Sequence, residues 1–275
     1  MNETVTVIIP TYNEEKSIHD CLDSIKKQDY SPLEIIVVDD GSTDATRQII
    51  KKNRIKLLSQ LHRGPAFARN LGAKHAKGEI LVFLDADMTL SPSFITSLTK
   101  PIRDGKTMGT FSMDELVLNW NNIWSKCWNR NNGSPERRRI RDDSHDQEDF
   151  RAIKASIFKK SGGFDPIGYT DSRTLITKLG FRPEKAENTV HFHRNPETLK
   201  EVFVQARWIG RRKMRWGLFG QLINLARHSL PFSVASGIIV SIRHKEPRFF
   251  IFKLTYDLAF SSGIMTNIIY KQTAR

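Results

Sequence analysis

Along the first hundred residues, short apolar runs rich in β-branched side chains alternate with segments whose apolar positions recur every third or fourth residue. Val5–Ile9 and Leu33–Val38 have the near-continuous apolar character of strands covered on both faces. Between them, Ile18, Leu22 and Ile25 fall on one face of a helix predicted over Glu14–Gln28. Ile55–Ser59 and Glu79–Leu84 predict two more strands. The helices before them are predicted over Asp44–Asn53, capped by Ser42 or Thr43, and over Pro65–Ala76. This alternation predicts an α/β fold, a mainly parallel sheet with helices on both faces and ligands at the carboxyl ends of its strands.

Near residue 115 the pattern changes. Trp120, Trp124 and Trp128 recur every fourth residue, a helical stripe that either packs in a core or offers platforms for sugar or lipid. Asn129–Asp149 is charged and turn-rich, which predicts a loop. In "TVHFHR" the alternation turns His191 and His193 the same way on a strand. A very basic helical segment follows Pro196, with Arg207, Arg211, Arg212, Lys213 and Arg215 available to a phosphate, to lipid headgroups or simply to solvent. Ser229–Ile242 and Leu258–Tyr270 are uncharged but fall short of the ~20 apolar residues of a spanning helix. Two readings stay open for them: core helices, or elements lying in a membrane interface with Arg243, Lys245, Arg248 and Lys253 among the headgroups.

The formal net charge of +13 adds an anionic partner to the picture, whether nucleic acid, an anionic membrane or a phosphorylated substrate. Acidic residues at the predicted strand ends would repel a nucleic-acid backbone, and no nucleic-acid motif occurs. Nucleic acid is therefore not an expected partner, and a basic nucleic-acid-binding protein without enzymatic activity is the remote alternative. Two cysteines, Cys21 and Cys127, make no disulfide framework and fit a reducing compartment. "MNETVTVIIP" reads as a first strand and not as a signal peptide. The expected location is cytoplasmic, including the cytoplasmic face of a membrane.

Three segments stand at predicted strand ends: "PTYNEE" from Pro10, "DDGSTD" from Asp39 and "DADM" from Asp85. Like carboxylates as close as Asp85 and Asp87 repel, and a divalent cation with open positions for phosphate oxygens removes the repulsion. Each segment alone also reads as turn and cap chemistry. No G-x-G-x-x-G follows the first strand, which excludes a dinucleotide fingerprint.

In order, "VTVIIPTYNEEKSIHDCLDSI", "EIIVVDDGSTDAT", "RGPAFARNLGAKHAKGEILVFLDADM" and "FKKSGGFDPIGYTDSRTLITKLGF" closely resemble the successive motifs of family 2 glycosyltransferases. The resemblance runs through Val5–Thr89, continues over Phe150–Phe181 and Thr189–Gly210, and thins beyond. It implies a GT-A fold: a Rossmann-like mixed sheet with helices on both faces, followed by a C-terminal helical segment. The implied division is a nucleotide-sugar half over 1–112, an acceptor half over 113–195 and helices over 196–275.

By the same resemblance, Pro10, Tyr12 and Glu14 line the nucleotide pocket, Asp39 and Asp40 receive base and ribose, and Arg69 and Asn70 lie near the donor. Asp85 and Asp87 match the D-x-D that meets donor and metal, Mg2+ or Mn2+, with Asp87 the more direct ligand. His193 completes the metal shell, and Asp171 is the catalytic base, although Thr170 stands where the family usually has Glu. Asp171 also reads as an N-cap for a helix over Ser172–Leu179. The implied reaction is inverting transfer of one sugar from a nucleotide-diphosphate donor to a hydroxyl of a glycan or lipid-linked acceptor. A polyprenyl-phosphate acceptor is the alternative. "VQARWIGRR" departs from the spacing of processive synthases, which favours single transfer over polymerisation.

Overall fold

The computed structural model describes residues 3–134, 136–139, 149–166, 173–212, 214 and 216–270. The first elements are β1 (Val5–Thr11), α1 (Ile18–Lys26), β2 (Leu33–Asp39), α2 (Thr46–Lys52), β3 (Lys56–Ser59), α3 (Pro65–Lys74) and β4 (Ile80–Phe83). They are followed by β5 (Met88–Leu90), α4 (Phe94–Arg103), β6 (Gly109–Phe111), β7 (Glu115–Val117) and α5 (Ile123–Asn131). Then come β8 (Ala152–Lys154), α6 (Ala155–Lys160), α7 (Arg173–Leu179), β9 (Glu184–Lys185) and β10 (His191–His193). The chain closes with α8 (Leu199–Gly210), α9 (Gly217–Arg227), α10 (Leu230–Arg243) and α11 (Arg248–Tyr270).

Two compact units result. The first takes in Met1–Leu116 and Ile140–His193. Its seven-stranded sheet runs β3-β2-β1-β4-β8-β6-β9, and a three-stranded sheet runs β5-β10-β7. β1 pairs in parallel with both β2 and β4, as the alternation predicts, while β8 pairs antiparallel with β4 and β6. The four residues of β4 are all buried, because helices cover both faces of the sheet. On one face α3 comes so close that a Cβ at Gly72 would stand 2.4 Å from Ile8 Cγ2. Only glycine allows that approach.

The observed boundaries differ from the expected three-part division. β8 and β9 join the sheet of β1–β4, and β7 and β10 share a sheet with β5, so the described strands past residue 112 build on sheets begun before it. Residues 117–139 instead join Arg194–Arg275 in the second unit. The helix expected over Asp44–Asn53 begins at Thr46, and neither Ser42 nor Thr43 caps it: its N-cap is Ala45. Both are engaged across the strand ends, where Asn13 N–H donates to Ser42 Oγ at 2.9 Å and Thr43 N–H donates to Asn13 Oδ1 at 2.8 Å.

The second unit has its own core, in which Val202 and Ala206 of α8 meet Phe252, Tyr256, Phe260 and Ile264 of α11. Trp128 belongs to that core, edge-on to Tyr256 at 5.4 Å between ring centroids. Packing thus accounts for this member of the tryptophan stripe. Trp124 is half-buried against the same cluster, and Trp120 precedes α5, its ring 5.8 Å from Lys126 Nζ. The loop expected from Asn129 begins later, since α5 runs to Asn131, and residues 140–148 lie outside the described ones. So do Lys213 and Arg215 of the basic segment, whereas Arg212 lies over the Trp208 ring at 4.2 Å.

Candidate active site

Because β2, β1 and β4 are neighbours in register, the segments after them emerge side by side at one edge of the sheet. That edge is where a doubly wound sheet collects ligands. Asn13 adopts a left-handed φ of 55°, turning the chain so that the Tyr12–Glu15 loop meets the loop after Asp39. Glu14 N–H donates to Thr46 Oγ1 at 2.8 Å, and Ala45 N–H donates to Glu15 Oε2 at 3.0 Å. Tyr12 stands at the rim, exposed on one side and stacked on His62 at 4.1 Å on the other. Pro10 lies just inside β1, opposite Val38.

The two aspartates at the end of β2 have different tasks. Asp39 is fully buried, accepts from Ser42 N–H at 3.2 Å and lies 3.5 Å from Arg47 Nε. Asp40 uses both carboxylate oxygens inside the protein. It accepts from Gln60 Nε2 at 2.6 Å, from Arg63 N–H at 2.9 Å and from Gly64 N–H at 2.8 Å, and it pairs with His62 Nδ1 at 2.9 Å. Asp40 therefore fastens the loop that carries His62, a task besides the base or ribose contact that the family resemblance implies. Asp40→Ala strips these groups of their acceptor, at a cost in stability of about 2 kcal/mol. Urea denaturation with hydrogen exchange at Arg63 and Gly64 is the check.

Arg69 and Asn70 also serve the fold. Asn70 holds the Phe164 backbone with both ends of its amide, Nδ2 donating to the carbonyl at 2.8 Å and Oδ1 accepting from the N–H at 3.0 Å. Its task is to tie α3 to the Gly163–Phe164 segment. Arg69 donates to Asp85 Oδ1 at 2.8 Å, and Arg151, just before β8, lies 3.4 Å from Asp85 Oδ2. Burial opposes the Asp85 charge, but the two guanidinium groups outweigh it and hold the carboxyl well below its ordinary range. Asp85→Ala leaves two half-buried cations without this partner, a loss of about 2 kcal/mol readable as a lower melting temperature.

Asp87 meets a histidine where Asp85 meets arginines, and the two aspartate side chains are similarly exposed, 40% against 37%. Asp87 Oδ1 lies 3.3 Å from His193 Nε2, delivered by β10, which pairs antiparallel with β5 so that His193 opposes Met88. On its far side His193 Nδ1 lies 2.6 Å from Glu115 Oε1 of β7. A carboxylate behind a histidine fixes the ring and raises the basicity of the other nitrogen. Glu14 senses this charge: desolvation first, then the Asp87 carboxylate, push its carboxyl up to about 7.

A second grouping exists among the described residues. Ligand atoms of Glu115, His191 and His193 lie within 4.8 Å of one another. Burial lowers the His191 imidazole to about 3 against the pull of Glu115, so the ring is neutral. All three residues are buried, whereas the Asp87 side chain is 40% exposed. A cation that meets a diphosphate needs the open side, and there a carboxylate oxygen and an imidazole nitrogen already converge. The donor set of one hard oxygen and one imidazole suits a divalent ion such as Mn2+. Glu115, Arg151 and His62 carry no motif in the sequence and reach the site only through strand pairing and the loop after β3. Asp171 lies outside the described residues.

The sequence profile described as Glycosyl transferase family 2 matches residues 6–162. The chain belongs to that family. A relative, the poly(ribitol-phosphate) beta-N-acetylglucosaminyltransferase TarS of Staphylococcus aureus, is 48% identical over 90 residues, 30% of this chain and 16% of TarS. Aligned segments span from 15% to 38% of the lengths of the curated relatives. Mannosyltransferase PcManGT of Pyrobaculum calidifontis, solved with GDP-Man and Mn2+, superposes with a TM-score of 0.58 at 22% identity, covering 99% of this chain and 89% of that one. Glucosyl-3-phosphoglycerate synthase of Mycobacterium tuberculosis, solved with Mn2+, uridine diphosphate and phosphoglyceric acid, gives 0.51 at 20% identity over 76% of this chain and 77% of that one. These likenesses establish the GT-A fold of the family 2 chain.

Proposed function

We propose that this chain transfers one sugar, with inversion, from a nucleoside-diphosphate sugar to a hydroxyl of a glycan or lipid-linked acceptor. The observation that carries the reading is the Asp87–His193 pair, reached from solvent on the Asp87 side, at the sheet edge where the loops after β1 and β2 also arrive. Asp87 and His193 Nε2 would hold Mg2+ or Mn2+, as the Mn2+ in the two structural neighbours supports. Bound there, such a cation would neutralise charge on the departing diphosphate. Glu115 fixes the His193 ring, and the Arg69–Asp85–Arg151 cluster holds the end of β4 in place. Tyr12, backed by His62, offers an aromatic face to a nucleobase. Asp171, by its place in the family motif, takes the acceptor proton as the hydroxyl attacks the anomeric carbon.

The neighbours carry different nucleotides, GDP in one and uridine diphosphate in the other, so the donor is to be found by screening. Selective binding of one nucleotide sugar in the presence of Mn2+ raises the melting temperature by mass action. Asp171→Asn is expected to keep that stabilisation while losing about a thousandfold in transfer. Transfer retained by Asp171→Asn would point to a phosphate acceptor, which is already anionic and needs no base. Absence of stabilisation by every nucleotide sugar would remove the proposal.

A further inference from the structure

The second unit is built inside out along one helix. On α10 the buried positions are Ser233 and Gly237, one turn apart. The outward positions are Leu230, Phe232, Ile238, Ile239 and Ile242, of which Leu230 is 70% and Ile242 73% exposed. A helix on a water-soluble protein has the opposite arrangement. The polar groups lie within: Ser233 Oγ–H donates to Asp257 Oδ2 at 2.6 Å, while Lys253 Nζ and His228 Nδ1 approach Oδ1 at 2.8 and 2.6 Å. Close packing follows from the small inner residues, since a Cβ at Gly237 would stand 3.0 Å from Phe250 Cδ2 of α11.

α9 continues the apolar surface with Leu218, Phe219 and Leu222, and Trp216 stands exposed just before it. Between Arg227 and Arg243 there is no Asp, Glu, Lys or Arg. Cations stand at both ends of α10: Arg227 before it, Arg243 and Lys245 after it, all exposed. Among the described residues no single helix is long and apolar enough to cross a membrane. α9 and α10 together reach that composition but meet at a bend of 55°.

We propose that the α9–α10 pair docks this chain on an anionic lipid bilayer. Its apolar face enters the headgroup boundary, and Arg227, Arg243 and Lys245 meet lipid phosphates. The bend fits a pair lying along the interface better than one crossing it. The charge also decides between occupants. Two copies of this face would bring like cationic ends together on a chain of net charge +13, whereas an anionic surface attracts them. The inference does not rest on the transfer reaction and goes beyond it.

The test is flotation with vesicles of phosphatidylglycerol and phosphatidylcholine, against phosphatidylcholine alone, on the full chain. Wild type is expected to float with the anionic vesicles and to remain partly bound at high salt, where simple adsorption is screened. The double variant Phe219→Ser with Phe232→Ser, shown to be folded by circular dichroism, is expected to lose roughly tenfold or more in partitioning. Arg243→Glu with Lys245→Glu is expected to lose the preference for phosphatidylglycerol. Should the serine variant fail to fold, brominated lipids quench Trp216 in the wild type if the face inserts. Failure of wild type to float, equal flotation of the folded serine variant, or no quenching would overturn the proposal. So would a dimer in size exclusion that the serine substitutions dissociate while neither form floats, since a second copy would then cover the face.

Discussion

Asp87→Asn is expected to lower sugar transfer by about a thousandfold with little change in melting temperature. The reasoning starts from what holds each carboxylate of the D-x-D. Asp85 is bracketed by Arg69 and Arg151, so its charge is already balanced by the protein. Asp87 is the acid of the pair that lies beside His193. Asparagine keeps the shape of the side chain and removes its charge. The position is 40% exposed, and replacements at such sites move stability little. Stabilisation of the protein by a nucleoside diphosphate with Mn2+ should disappear in parallel with activity. Asp85→Asn should show the contrasting signature, a lowered melting temperature accompanying any loss of transfer. Wild-type turnover in Asp87→Asn would place the charge-neutralising site elsewhere.

How legible this site was depends on how each residue reaches it. β1, β2 and β4 announce themselves because strands buried on both faces must be continuously apolar, and the loops after them then have only one edge to occupy. Asp87 is picked out by the D-x-D spacing after β4, and His193 by the alternation of "TVHFHR". Arg151 and Glu115 are not, because antiparallel pairing of β8 and the short sheet of β7, β10 and β5 brings them in from far along the chain. Asp40 and Asn70 carry a structural task that their motifs do not announce. A carboxylate or amide suited to a ligand is equally suited to backbone N–H and carbonyl groups, and here the backbone claims them. α10 exposes a further limit. Apolar periodicity reports which positions share a face, but a core and a lipid surface ask for the same residues.

The second large effect is expected far from any chemistry, where α8 crosses α11. A Cβ at Gly210 would stand 2.1 Å from the carbonyl oxygen of Phe260, and one at Gly263 would stand 2.1 Å from that of Arg207. Both obstacles are backbone, so no side chain can turn aside; the helices themselves must separate. Separation opens the contact of Val202 and Ala206 with Phe252, Tyr256 and Phe260, the core of the second unit. Overpacking costs about 1–3 kcal/mol when neighbours can shift and more when they cannot. Replacing a helical glycine returns only about 1 kcal/mol of propensity, and valine less than alanine. Gly263→Val should therefore lose about 3 kcal/mol, lowering the melting temperature by roughly 5 °C for a chain of this size. Gly210→Val should behave alike, and combining the two should cost less than the sum, because a crossing already opened by one accepts the other. Met265→Ala, on the exposed side of α11, is the control and should melt close to wild type. If Gly263→Val melts with that control, the two helices do not touch through their backbones, and the small residues at 210 and 263 need another reason.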